Sequence, residues 1–154
     1  MTAPVCARRR TITQVLLSQA QSLAAAGRFR EALASVEQRL AEYPRDAAAL
    51  ALKGALLTET GAPDGALAVF DLALSLDPQN AAVHSNRGNA LARLGRAVDA
   101  VESYGRALAL MPNYPAALSN RAAQLIILAR PQDALVDLDR ALSLNPRLGA
   151  AHRL

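Results

Sequence analysis

The side chains best able to carry chemistry are few. The 154 residues hold two histidines, one cysteine and thirteen carboxylates, set against seventeen lysines and arginines. Acid–base or nucleophilic catalysis needs a nucleophile, a base and an orienting group brought within hydrogen-bond reach, and a metal needs its ligands clustered. Neither pattern is written here: no Cys/His or Ser/His/Asp set converges, and no glycine-rich phosphate loop follows a strand. Asp137 and Asp139 stand two apart on a helical stretch and so point away from each other, while Asp71, Glu102 and Asp133 fit solvated faces. Cys6 is alone and cannot build a disulfide framework. The expectation is a protein that is not an enzyme and that carries no metal and no cofactor.

What remains is amide chemistry. Asn86 and Asn120 stand 34 residues apart, each inside the tripeptide Ser-Asn-Arg. A carboxamide offers one carbonyl acceptor and two N–H donors, so it can pair with the C=O and N–H of an extended backbone without reading side chains. The same interval organises the chain. Pro44, Pro78, Pro112 and Pro146 are spaced 34 residues apart, and fixed self-similarity at this period marks a stack of helix pairs. With each proline set at position 32, the repeats are 13–46, 47–80, 81–114 and 115–148, with a partial fifth unit at 149–154. His84 and His152 both fall at position 4, where the other repeats have Leu16, Leu50 and Leu118, which makes them packing residues by register.

Each repeat reads as helix, tight turn, helix. Small residues recur at position 8 (Ala20, Gly54, Gly88, Ala122) and position 20 (Ala32, Ala66, Ala100, Ala134), where two helix backbones must pass closely. Position 15 is Gly27, Gly61, Gly95 and Ala129, the place for a left-handed C-terminal cap. Pro63 and Pro131 fit the first turn of a second helix, where a missing N–H costs nothing. Asp46 and Asn80 are placed to cap the next first helix, and at the third junction Asn113 is the expected cap. Apolar steps of three and four, such as Leu67, Phe70 and Leu74, give each helix one buried stripe.

Composition agrees. An apolar content of 52% with only 3% aromatics, most of it Ala and Leu, favours helices with a substantial core. Three of the four net positive charges come from Arg8, Arg9 and Arg10, and the remaining cations are mixed with acids, which argues against a nucleic-acid partner. No apolar run approaches a membrane span, so no membrane partner is expected. The arginines ahead of a partly apolar stretch resemble an export leader, but Ser18, Gln19 and Gln21 interrupt it, and a cytoplasmic location is the expectation. Residues 1–10 read as a basic, disordered arm ahead of a repeat domain at 11–154.

In these positions the chain resembles the tetratricopeptide repeat family. The motif's large residue at 11 is Leu23, Leu57, Leu91 and Leu125; its aromatic at 24 is Phe70 and Tyr104; its alanine at 27 is Ala73, Ala107 and Ala141. Two departures stand out. Position 7 is Gln19, Lys53, Arg87 and Arg121 instead of leucine, suggesting a variant subgroup, and Arg39 at position 27 suggests an atypical first unit.

The resemblance implies an all-α, right-handed superhelical solenoid of antiparallel helix pairs, four repeats plus the truncated fifth first helix, that acts as a protein–protein interaction scaffold. First helices would line a concave groove receiving an extended peptide or partner helix, and the implied groove residues are Ser85, Asn86, Asn89, Arg93, Ser119, Asn120, Ala123 and Ile127. Asn86 and Asn120 look like two rungs of the asparagine ladder in the repeat arm of O-linked N-acetylglucosamine transferases, Arg93 would attract an acidic group, and Ile127 would pack an apolar side chain. Two net hydrogen bonds contribute only a few kcal/mol before association costs, millimolar binding at best, so Ile126 and Ile127 would have to add apolar anchoring. Lys53 is the only lysine and stands at position 7, so the family's carboxylate clamp is missing. The rival reading is a substrate-docking arm of a larger enzyme. Because the sequence stops six residues into the fifth unit, leaving Leu135, Leu138 and Leu142 partly covered, a longer array or homo-oligomer contact at that end is also expected.

Overall fold

The computed structural model describes the backbone of residues 5–146 and the side chains of residues 15–146. The partial fifth unit, with His152, lies outside the described residues. Those described form eight α-helices and no strand: α1 (Val5–Ala25), α2 (Phe29–Glu42), α3 (Ala47–Glu59), α4 (Pro63–Leu76), α5 (Ala81–Arg93), α6 (Ala97–Leu110), α7 (Pro115–Ile127) and α8 (Pro131–Leu144). The fold is all-α and built of adjacent antiparallel pairs. α1 begins at Val5, ahead of the boundary at residue 11 that the composition suggests, because no glycine or proline interrupts residues 5–26.

Each boundary has a local cause. Gly27, Gly61 and Gly95 have φ of +74°, +85° and +72°, and Ala129 follows them at +55°. With the left-handed residue in place, the next N–H reaches back to the position-11 leucine carbonyl: Arg28 to Leu23, Ala62 to Leu57, Arg96 to Leu91, Arg130 to Leu125. At the far end, Tyr43, Asp77, Met111 and Asn145 each precede a proline and take φ between −130° and −142° with ψ between 76° and 87°, outside the helical region. Asp46 and Asn80 cap α3 and α5 by accepting from Ala49 N and Val83 N at 3.0 and 3.2 Å. Asn113 does not cap α7. Tyr114 holds that place without a side-chain bond, Pro115 opens the helix, and Asn113 Oδ1 accepts from Arg140 instead.

The helices fall into two compact units, α1–α4 and α5–α8, divided at a repeat junction. In the first, α2 packs on α1 and α3, and α3 on α4. Its core joins Ala20, Ala32, Val36, Ala49 and Leu56. The second repeats the arrangement, with α6 on α5 and α7, and α7 on α8. Position 8 matches position 24 by size. Glycine faces the rings (Gly54 with Phe70, Gly88 with Tyr104), and alanine clusters with the aliphatic residues (Ala20 with Val36, Ala122 with Leu138). Arg39, where later repeats have a buried alanine, turns back along its own hairpin: Nε donates to Asp46 Oδ2 at 2.6 Å and the guanidinium stacks on Tyr43, 5.4 Å from its centroid.

Candidate functional site

All eight predicted groove residues fall on α5 and α7, the two first helices of the second unit, which touch each other directly. Position 9 of one helix meets position 6 of the next: Asn120 Nδ2 donates to Asn89 Oδ1 at 2.9 Å. The same oxygen accepts from the Tyr104 hydroxyl at 2.7 Å. The direct amide contact therefore joins Asn120 to Asn89 and not to Asn86, which is half-buried one turn earlier on α5.

The other residues divide by exposure. Ser119 is half-buried and Ala123 exposed, while Ile127 is 68% exposed, so Ile126 and Ile127 form an open apolar ledge at the end of α7. Ser85 is 2% exposed and so presents almost no surface to a ligand. Arg93 is exposed but already has a partner within the chain. Tyr104 is buried, and loss of water around its phenol pushes the pKa up to about 12, so the hydroxyl keeps its proton and remains a donor.

His84 behaves as its register demands. It is buried, with Nε2 3.0 Å from Pro78 O, and its own carbonyl accepts from Ser103 Oγ at 2.9 Å. Among the described residues, no group of three or more His, Cys, Asp or Glu side chains is placed to hold a metal, and no helix is long and apolar enough to cross a membrane.

Asp137, which the sequence places only as pointing away from Asp139, is a buried carboxylate. It is 4% exposed and gripped in two-pronged fashion by Arg121, at 2.7 Å from Nε to Oδ2 and 2.6 Å from Nη2 to Oδ1. The hydrogen bond to Asp137 raises the Arg121 pKa further above its ordinary value. The cation at position 7 was the available signal. Lys53, at the same position, pairs with Glu37 at 3.0 Å, so polar partners replace the apolar contacts of a leucine.

Two tetratricopeptide repeat models match the chain, at residues 17–81 and 81–114. No curated protein matches it. Its fold is similar to that of solved structures under one quarter identical in sequence. A thermophilic TPR protein of Thermus thermophilus superposes with a TM-score of 0.80 at 23% identity, covering 87% of this chain and 75% of the other. MamA from Desulfovibrio magneticus RS-1, from residue 41 to its end, gives 0.78 at 18% identity, covering 88% and 76%. Another MamA crystal structure gives 0.78 at 16%, covering 90% and 81%. Across residues 17–114, then, this chain is built of tetratricopeptide repeats.

Proposed function

We propose that this chain is a protein-interaction scaffold whose α5–α7 face receives an extended segment of a protein partner. The observation that carries this reading is the side-by-side placement of two half-buried amides, joined at Asn89–Asn120, beside an exposed aliphatic ledge. Amides on one face can pair with backbone C=O and N–H groups, and a neighbouring apolar surface adds the burial that two hydrogen bonds alone do not supply. Ile126 and Ile127, at 57% and 68% exposure, are surface residues and not part of the hydrophobic core. Asn86 extends the polar strip along α5, and Ser119 and Ala123 leave room for a backbone to approach. The test compares wild type with Asn86→Ala/Asn120→Ala as bait, identifying captured proteins by mass spectrometry. A partner retained by wild type and lost by the helical double variant supports the reading; equal affinity of both baits refutes it.

A second surface is favoured by a specific contrast. Val101 of α6 packs against the cluster that α7 and α8 share, and Leu108 is buried, whereas the equivalent Leu135 and Leu142 of α8 are 59% and 40% exposed. A helix resembling α7, supplied by another copy, is the complement of that face. Light scattering of Leu135→Asp beside wild type tests it, and identical monomeric masses across concentration rule it out.

A further inference from the structure

Packing alone does not require the hydroxyl of Tyr104. In the preceding repeat the same position is Phe70, and its ring stands to Gly54 as the Tyr104 ring stands to Gly88: a Cβ added at either glycine would meet three ring carbons within 2.9 Å. Phenylalanine therefore fits this setting. The hydroxyl coincides instead with an amide. Position 9 is asparagine only where position 24 is tyrosine; the other pairs are Gln21 with Val36, Ala55 with Phe70, and Ala123 with Leu138. Asn89 Oδ1 accepts both the Tyr104 hydroxyl and Asn120 Nδ2, so its two lone pairs are occupied.

We propose that Tyr104 is a positioning residue for peptide binding, locking the Asn89 amide, and through it Asn120, so that α5 presents a donor and α7 an acceptor to the ligand backbone. The inference rests on the α5–α7 face being the peptide site. With Oδ1 of Asn89 turned to the buried hydroxyl, its Nδ2 is the end left for a ligand carbonyl. With Nδ2 of Asn120 turned to Asn89, its Oδ1 is the end left for a ligand N–H. A donor beside an acceptor complements the C=O and N–H of one residue in an extended chain, which lie on the same edge. Along a polypeptide the N–H of a residue precedes its C=O. The ligand therefore runs from N to C terminus in the direction from α7 to α5. The residue seated on the amides can have any side chain but cannot be proline, which lacks the N–H.

The probe is the capped peptide acetyl-Ser-Val-Ala-Val-Ser-amide, carrying a nitroxide at either terminus and titrated into ¹⁵N-labelled protein. Wild type is expected to show saturable shifts on α5 and α7, with the N-terminal label broadening α7 more strongly and the C-terminal label broadening α5. Tyr104→Phe weakens binding about fivefold, the loss of one net hydrogen bond. Asn89→Ala weakens it at least as much, and Tyr104→Phe has no further effect in that background. Acetyl-Pro-Pro-Pro-Pro-Pro-amide, in which no residue has a backbone N–H, gives no saturable shifts. Tyr104→Phe binding as tightly as wild type, or the opposite pattern of broadening, overturns the positioning role while leaving the groove in place. Absence of any saturable shift on α5 and α7 in wild type overturns the groove itself, and the positioning role with it.

Discussion

Replacing Gly54 by alanine drives a methyl group into the Phe70 ring, because a Cβ built there lies within 2.8 Å of three ring carbons and Phe70 is fully buried. Overpacking of this kind costs about 1–3 kcal/mol. Alanine is better than glycine inside a helix by about 1 kcal/mol, which offsets part of the clash. Gly54→Ala is thus expected to lose about 0–2 kcal/mol. Gly105→Ala is the internal control: it lies inside α6, and the nearest atom to its added Cβ is Arg121 Nη1 at 3.8 Å, an ordinary contact. That variant keeps the propensity gain and is expected to be more stable than wild type by up to about 1 kcal/mol. Adding Phe70→Leu to Gly54→Ala recreates the alanine–leucine pairing of Ala122 and Leu138, so the double variant should lose less than the sum of the single variants by at least about 0.5 kcal/mol. Urea unfolding followed by circular dichroism at constant m supplies all four free energies. Additive losses, or a Gly54→Ala variant as stable as Gly105→Ala, would refute the idea that ring size at position 24 dictates glycine at position 8.

Other variants probe separate features. Ala129→Gly removes a left-handed non-glycine residue at φ +55° and should raise stability by up to about 1 kcal/mol, read as a higher thermal midpoint; no rise means the cap is unstrained. Arg121→Ala strands the buried Asp137 carboxylate and should cost about 2–4 kcal/mol in urea unfolding, whereas Arg121→Leu/Asp137→Leu should cost less than that single change. Tyr104 has its pKa pushed up to about 12 in the folded state, above the unfolded value of 10, so the folded state holds its proton more firmly. Stability present below about pH 10 is therefore lost as pH rises toward about 12, and Tyr104→Phe should flatten that decline in alkaline unfolding curves. On the binding side, Asn86→Ala/Asn120→Ala should release the captured partner with helicity unchanged.

Among the described residues the helix pairs and nearly every helix end were legible in the sequence, because glycine and proline act on their own backbone. Gly27, Gly61 and Gly95 take the left-handed turn, and the prolines at position 32 bar helical geometry just before them, whatever surrounds them. The packing role of His84 followed from register, while the alanines at position 27 were noted through the family motif and are buried. Tertiary structure decided what depends on partners distant in the chain. Asp137 is buried because Arg121, sixteen residues earlier, reaches it across a hairpin; Asn120 bonds to Asn89, thirty-one residues away, instead of aligning with Asn86. Ser85 is almost fully buried although the family resemblance implied a groove position for it, and Asn113 turns to Arg140 instead of to α7. Local backbone preferences are additive along the chain and so can be read in order, whereas the role of a polar side chain is set by which donor or acceptor the packing of neighbouring helices brings within about 3 Å.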